Sequence, residues 1–343
     1  MANLLKSVIK ASEKGASIAR SCVGVKDIED ALLIAEKCEG EANTRFDKDF
    51  KTIADVLVQE TAKSIIVNDF PDLKGHVRGE ECAEIGGQKI KLLETEAKTE
   101  ELLRLLVTSN LASRMAKAAH NDNPNIDFSD IPDDIPEVDT TDIGIWIDPI
   151  DATAEFIAGV QGTAKSGSGL ECVTVLIGAY LRSTGEPVIG VINQPFYKNG
   201  MGRILWGLSY KGIQKWGGTH VNATSPNNII LMSNAENSEI KQKLINFPYN
   251  IDTAPGAGYK LMKVSQGEAI AYILSKGTTF LWDTCAPHAI LRARGGDIIT
   301  YKSQESVKYN IPECNDNQQY CNSNGIIAYN DRVTFNEFKV ALE

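Results

Sequence analysis

The chain predicts an α/β fold with α+β character. Three observations carry this: helical spacing opens the sequence, a β-rich run fills its middle, and strands alternate with helices to its end. Leu4, Val8, Ala11, Ile18, Ala19 and Cys22 recur at helical spacing, and Ile28, Leu32, Ala35 and Cys38 repeat the pattern, so two amphipathic helices are expected first. Residues 52–67 read as a third, with Asp55 in its first turn and Phe70-Pro71-Asp72 ending it. Val77-Arg78-Gly79-Glu80-Glu81 reads as a strand end carrying paired acids, and 85–92, with Gly86-Gly87, as a hairpin. A long helix is expected over 99–120. Residues 121–142 hold Pro124, Pro132 and Pro136 and no period, which predicts a surface loop or lid.

An apolar strand over 143–147 then meets the string Trp146-Ile147-Asp148-Pro149-Ile150-Asp151-Ala152-Thr153, where a helix should begin. Three β-rich runs, 171–181, 187–194 and 203–210, predict an antiparallel meander. Around 217–227 the composition turns to Gly, Thr, Ser, Asn and Pro. That places a boundary between an N-terminal lobe, residues 1–222, and a C-terminal lobe, residues 223–343. The second lobe reads as strand 229–232, helices 238–244 and 258–266, strand 270–274, helix 284–294, strands 297–301 and 325–329, and helix 334–342.

With 343 residues, 43% of them hydrophobic, the chain can bury a sizeable core. A net charge of −10 argues against a nucleic-acid polymer or an anionic membrane as partner, because no positive field would attract either. An anionic substrate would need cations or local basic groups. The longest apolar stretch, 172–181, falls short of the roughly 20 residues that cross a bilayer. The first residues run into helical pattern without a signal-peptide core. Seven scattered cysteines without Cys-x-x-Cys spacing read as reduced thiols of a cytoplasmic protein, Cys314 and Cys321 being the close pair that leaves a disulfide open.

Acidic residues number 45, so an isolated carboxylate carries no signal. Four spots differ because each lies against apolar residues at the end of an element, where a lone charge is costly: Asp55, Glu80-Glu81, Asp148 with Asp151, and Asp283 after Trp282. Each also has a plainer reading. Asp151 and Asp283 suit helix N-caps, Asp55 suits a first turn, and Glu80-Glu81 suits a solvated pair. Taken together, Glu80, Asp148, the Ile150 carbonyl, Asp151 and Asp283 form a donor set that suits Mg²⁺. Pro149 fixes the corner, and the amides of Ala152 and Thr153 are free for an oxyanion, with the Thr153 hydroxyl beside them. Lys260, after Gly256-Ala257-Gly258, is a candidate grip for a second phosphate or a plain helix-surface lysine. Ser233 and Asn234 are candidates for ring hydroxyls or phosphate, or an ordinary turn. His288 reads as packed or solvated.

The ordered set Asp55, Gly79-Glu80-Glu81, Trp146 to Thr153, and Trp282-Asp283-x-x-Ala286 resembles the Mg²⁺-dependent, lithium-sensitive phosphatases of the inositol monophosphatase superfamily. The strings 50–60, 170–178, 190–196 and 256–260 look most like the inositol polyphosphate 1-phosphatase branch. The resemblance runs nearly the whole chain and implies a layered α-β-α-β-α sandwich with mixed and antiparallel sheets. It implies that Glu80, Asp148 and the Ile150 carbonyl hold one metal and Asp148, Asp151 and Asp283 a second, among two or three Mg²⁺ ions, with Li⁺ inhibitory. Glu81 would assist, and Thr153 with Asp55 behind it would orient and deprotonate the attacking water. Ala152 stands where these enzymes usually carry Gly or Ser, and Pro287 is expected in the first turn of the helix at Trp282-Asp283. The stretch after Pro195 is shorter than in the animal enzymes.

The expected activity is removal of the 1-phosphate from inositol polyphosphates by a monomeric enzyme. A 3′(2′),5′-bisphosphate nucleotidase acting on 3′-phosphoadenosine 5′-phosphate, an enzyme with both activities, and a non-catalytic inositol phosphate binding protein are the alternatives. The Asp-x-x-Asp-x-Thr spacing differs from the Asp-x-Asp-x-Thr of aspartyl-phosphate phosphatases.

Overall fold

A computed structural model describes residues 3–24, 32–38, 40–43, 48–121, 126, 128, 130–219, 228–314 and 316–342. Helix α1 (Leu4–Ser21) starts where the Asn3 side chain accepts the Lys6 N–H, and it buries Leu5, Val8, Ile18 and Ala19. The helix expected over 28–38 is absent from its described part. Residues 32–38 are non-helical and include strand β1 (Ala35–Glu36), paired with β2 (Phe50–Lys51); residues 25–31 lie outside the described residues. Strand pairing and the buried ion pairs of Lys37 override the apolar spacing there. Helix α2 (Ile53–Asp69) opens with a reciprocal cap: the Thr52 hydroxyl accepts the Asp55 N–H while the Asp55 carboxylate accepts the Thr52 N–H.

Strand β3 (Val77–Gly79) and the hairpin β4 (Glu84–Ile85) with β5 (Gln88–Lys89) follow. Two helices, α3 (Glu96–Leu103) and α4 (Ser109–His120), replace the single one expected over 99–120. Thr108 makes the break, its hydroxyl accepting the Leu111 N–H as a new N-cap. The described part of 121–142 is irregular, as expected, but it is not a free lid. Ile131 is buried, and Asp130 accepts the Trp206 indole N–H at 2.8 Å.

Strands β6 (Ile143–Asp151), β7 (Thr174–Leu181), β8 (Pro187–Gln194), β9 (Arg203–Tyr210) and β10 (Ile213–Gly218) form the antiparallel meander, with β3 added in parallel beside β6. Helix α5 (Thr153–Val160) leaves directly from β6, and one irregular turn, α6 (Tyr197–Gly200), lies between β8 and β9. The chain then runs β11 (Ile229–Met232), α7 (Ser238–Ile245), β12 (Asn250–Thr253), α8 (Ala257–Gln266), β13 (Ala271–Leu274), α9 (Leu281–Ala293), β14 (Asp297–Thr300), β15 (Ile326–Tyr329) and α10 (Arg332–Leu342). Strand β12 was not expected, since three of its four residues are exposed and no apolar alternation marks it. The second sheet, ordered β12-β11-β13-β15-β14, is mixed: β11 is parallel to β12 and β13, and β15 is antiparallel to β13 and β14.

Both faces of each sheet are covered, which gives five layers, α-β-α-β-α. Ile147, Ile177, Val191 and Trp206 of the first sheet pack with Val8 and Ile66 of α1 and α2. Leu176, Ile192 and Leu205 pack instead with Met262, Ala286 and Ile290 of α8 and α9. Leu231, Tyr272 and Ala328 cover the inner side of the second sheet against Leu261 and Leu291, and Phe335 and Phe338 of α10 lie outside it with Leu244 of α7. Helix α9 begins three residues before its expected start, so Asp283 is the third helical residue and Phe280 the cap. Pro287 is therefore inside the helix and not in its first turn. Helix α9 sits so close to the first sheet because Gly178, Gly190 and Gly207, cross-strand partners on β7, β8 and β9, offer no side chains. A Cβ on Gly190 would come within 2.0 Å of the Ala286 carbonyl oxygen.

Candidate active site

Strand β6 carries Asp148 and Asp151 into the interior, 1% and 6% exposed. Asp148 pairs with Leu176 and Asp151 with Thr174, three steps against two, so a bulge falls between the aspartates and turns both toward one point. Asp283 reaches that point from the first turn of α9, its carboxylate accepting the Phe280 N–H. One oxygen from each of Asp148, Asp151 and Asp283 lies within 4.8 Å of the others, and all three residues are buried. Asp151 Oδ2 accepts from the Gly258 N–H at 3.1 Å and the Thr174 hydroxyl at 3.3 Å. Asp148 Oδ1 is buried and has no hydrogen-bond partner among the described residues.

Such an arrangement is costly without a counter-charge. Burial, with Glu80, Asp151 and Asp283 adding repulsion, holds Asp148 well above the usual carboxylate range. Burial does the same to Asp283 and Glu81, and pushes Asp151 and Asp55 up to about 6. An orphaned oxygen amid three buried carboxylates fits a hard divalent cation, which takes oxygen donors of this kind.

The parallel pairing of β3 with β6 brings Glu80 alongside, its N–H donating to the Ile147 carbonyl at 3.1 Å. Glu80 and Glu81 both face Lys37 Nζ, at 2.5 and 2.7 Å. Burial works to lower the Lys37 ammonium's pKa, but the two glutamates and Asp49 outweigh it and hold it well above the usual lysine value. Gln59 clamps the Glu81 backbone by accepting its N–H and donating to its carbonyl. Gly79 makes room, since a Cβ there would meet Gln59 Oε1 at 2.0 Å. A cavity of about 730 Å³ opens beside Glu80 and Glu81 and is bordered also by Lys51, Arg78, Cys82 and Tyr320.

Ala152, the cap of α5, holds φ 67 and ψ 48, a left-handed conformation that favours glycine. Thr153 follows, and its hydroxyl lies 3.2 Å from Asp55 Oδ1 and 3.1 Å from the Ile150 carbonyl oxygen. Gly256 caps α8 with φ 74, and a Cβ there would meet Asp151 Oδ2 at 2.8 Å. Lys260 is 5% exposed; its ammonium donates to the Ala254 and Gly256 carbonyls, tying down that turn, and burial lowers its pKa to about 8. Ser233 and Asn234 form a turn at the end of β11, its backbone held by Lys241 donating to the Asn234 carbonyl at 2.9 Å. His288 is fully buried between Tyr309 and Asp297, 2.9 and 2.5 Å away. Cys314 and Cys321 stand as free thiols.

The structure thus gathers Asp148, Asp151 and Asp283 directly, sets Glu80 and Glu81 beside Lys37, and sets Thr153 against Asp55. Sequence reasoning missed Lys37, Gln59 and Thr174. The first lay in a stretch of helical spacing, and the others carry no local mark of the long-range contact they make.

A family model described as Inositol monophosphatase family matches residues 24–337. The chain belongs to the inositol monophosphatase family. It is 38% identical to human inositol polyphosphate 1-phosphatase, over 98% of this chain and 96% of that one, and 38% identical to the Bos taurus protein of the same name over the same shares. It is 27% identical to 3′(2′),5′-bisphosphate nucleotidase 1 of Mus musculus, over 95% of this chain and 90% of that one. Among solved structures, the extragenic suppressor protein suhB of Bartonella henselae matches with a TM-score of 0.54 at 16% identity, covering 98% of this chain and 97% of that one. CysQ of Bacteroides thetaiotaomicron matches at 0.53 and 17%, covering 96% and 97%. The chain shares their fold and is a phosphoric monoester hydrolase with a metal cofactor.

Proposed function

We propose that this enzyme removes the 1-phosphate from inositol polyphosphates such as inositol 1,4-bisphosphate and inositol 1,3,4-trisphosphate, with Mg²⁺ as cofactor and Li⁺ as inhibitor. The observation that carries the reading is the buried trio Asp148, Asp151 and Asp283 beside the Thr153–Asp55 pair, in a chain 38% identical to inositol polyphosphate 1-phosphatases. Asp148, Asp151, Asp283, Glu80 and the Ile150 carbonyl would hold two or three Mg²⁺ ions. Bound there, Mg²⁺ supplies charge neutralisation for the phosphate and acidifies a water.

The chain's own groups do the rest. The Thr153 hydroxyl accepts a hydrogen bond from the attacking water and relays its proton toward Asp55 Oδ1. With its pKa near 6, Asp55 is ionised at neutral pH and takes that proton at little cost. The Ala152 and Thr153 amides, at the N-terminal end of α5, face phosphate oxygens. Glu81, locked by Gln59, assists from the Lys37 side. Ser233, Asn234 and the turn of Gly256 and Lys260 contact the rest of the substrate. Positioning and charge neutralisation supply most of the rate in phosphoryl transfer, and these residues are arranged for both.

A second reading, hydrolysis of 3′-phosphoadenosine 5′-phosphate to AMP, is favoured by the 27% identity to a bisphosphate nucleotidase across 95% of the chain. Both substrates offer a secondary-alcohol phosphate beside another anion. The remaining proposals are a cytoplasmic monomer and two lobes meeting within 217–227, of which 220–227 lies outside the described residues. Among the described residues no helix is long and apolar enough to cross a membrane. Phosphate release from the two substrates, side by side, with and without Mg²⁺ and Li⁺, is the test. Faster release from inositol 1,4-bisphosphate supports the first reading, the reverse order supports the second, and inertness toward both contradicts each.

A further inference from the structure

One short segment of the second lobe bonds to both ends of the acidic site without contributing a carboxylate to it. Asn317–Tyr320 form a single 3-10 turn, capped by Asp316, whose side chain accepts the Gln318 N–H at 2.9 Å. Tyr320 is its anchor. The ring is buried, with its centre 4.9 Å from that of Trp146 on β6 and 6.2 Å from that of Trp282 on α9. Each tryptophan stands within two residues of a site aspartate, Asp148 and Asp283 respectively.

From that anchor the segment reaches in two directions. On one side, Asn317 Nδ2 donates to the Glu80 carbonyl at 3.2 Å and to the Glu41 carbonyl at 3.4 Å, while the Asn317 N–H donates to the Gly40 carbonyl at 2.9 Å. Gln318 Nε2 donates to the Ala42 carbonyl at 2.8 Å. Residues 40–42 follow Lys37, which pairs with Glu80 and Glu81. On the other side, Asn322 Nδ2 donates to the Phe280 carbonyl at 3.0 Å, and the Asn322 N–H to the Thr279 carbonyl at 2.8 Å. Phe280 is the cap of α9, and Asp283 accepts its N–H.

Glu80 needs such a hold. It lies one residue past Gly79, the last residue of β3 paired with β6. The cavity of about 730 Å³ opens on this side, bordered by Gly40, Glu41, Glu80 and Asn317. Packing therefore does not fix the glutamate there, and its hydrogen bonds must.

We propose that residues 317–322 form a strap that fixes Glu80 relative to Asp283, with Asn317 as the positioning residue at the Glu80 end. This rests on the reading of Glu80 and Asp283 as metal donors and names what holds them in register. Asn317 acts through the Glu80 backbone and through the segment behind Lys37. Groups one bond removed from a metal donor typically account for roughly 10- to 100-fold in metal affinity.

The test is calorimetric titration of Mg²⁺ into the substrate-free, full-length protein, comparing wild type with Asn317→Ala, Asn317→Asp and Gln319→Ala, an exposed neighbour on the same turn. Asn317→Ala weakens Mg²⁺ affinity by roughly 10- to 100-fold. Asn317→Asp keeps the size but sets an acceptor against two carbonyls, and weakens affinity at least as far. Gln319→Ala binds as wild type does, and the metal-free melting temperatures of all variants stay close to that of wild type. The Mg²⁺ concentration for half-maximal phosphate release from inositol 1,4-bisphosphate rises in step with the loss of affinity, while KM and kcat at saturating Mg²⁺ hold. Wild-type Mg²⁺ affinity in Asn317→Ala or in Asn317→Asp overturns the inference. So does a marked fall in the metal-free melting temperature of both, which would make the bonds structural. A wild-type protein that takes up no Mg²⁺ overturns the metal reading first, and this inference with it.

Discussion

Asp148 stands between the other acids, with one oxygen unpaired and the charges of Glu80, Asp151 and Asp283 around it. Replacing it by Asn removes together the repulsion and the carboxylate proposed to serve both metal positions. Asp148→Asn therefore lowers kcat by about a thousandfold or more while raising the melting temperature of the metal-free protein, measured by phosphate release and thermal unfolding. Thr153→Ala takes away a hydroxyl that touches Asp55 and the Ile150 carbonyl but leaves the carboxylates in place. It lowers kcat by about 10²-fold or more with the Mg²⁺ dependence largely kept, and an unchanged kcat would remove Thr153 from the mechanism. Ala152 is held at φ 67, where a Cβ is strained. Ala152→Gly should add about 1 kcal/mol of stability in denaturant titrations, with the slope unchanged.

Secondary-structure elements place these residues, and the glycine row under α9 shows how. Gly178 and Gly190 let the Ala286 backbone touch the sheet, and Gly207 does so at Ile290, which fixes the depth of α9 and with it the height of Asp283. Gly190→Ala pushes the helix outward. It should destabilise the fold by about 2 kcal/mol and weaken Mg²⁺ affinity although no donor is altered, as calorimetric titration would show. Strands β8 and β9 were legible to the residue because apolar runs there stop at Pro187, Gln194, Arg203 and Tyr210. The break between α3 and α4 was not, since Leu102, Leu103, Leu105, Leu106 and Val107 carry the apolar pattern across it and Thr108 reveals itself as a cap only once Leu111 is placed. Asp148, Asp151 and Asp283 stood out because each lay at an element's end against apolar neighbours. Lys37 did not, because an ion pair with residues more than forty positions away leaves no period in the sequence.

On the scale of the whole molecule, five layers bury a cluster of like charges at the seam between two sheets, and the cost of that burial is linked to pH. Asp55 and Asp151 have folded-state pKa values near 6, above their ordinary carboxylate value. The native state thus binds protons that the unfolded state does not hold between about pH 4 and 6, so metal-free stability falls as pH rises through that window. Above it, both carboxylates are ionised in both states and the native penalty is complete. Mg²⁺ should accordingly raise the melting temperature strongly at pH 7 and little at pH 5, where protons compete for the same oxygens. The α/β class followed from apolar periodicity, and the order of layers and the joint role of Asp148, Asp151 and Asp283 from the family resemblance, whereas the bulge and the glycine row that bring the three aspartates together leave no period in the sequence. Diffraction from a crystal soaked in Mn²⁺, a Mg²⁺ surrogate with an anomalous signal, tests the central claim most directly. An anomalous peak in contact with Asp148, Asp151 and Asp283 is predicted; no peak there at saturating Mn²⁺ would contradict the account.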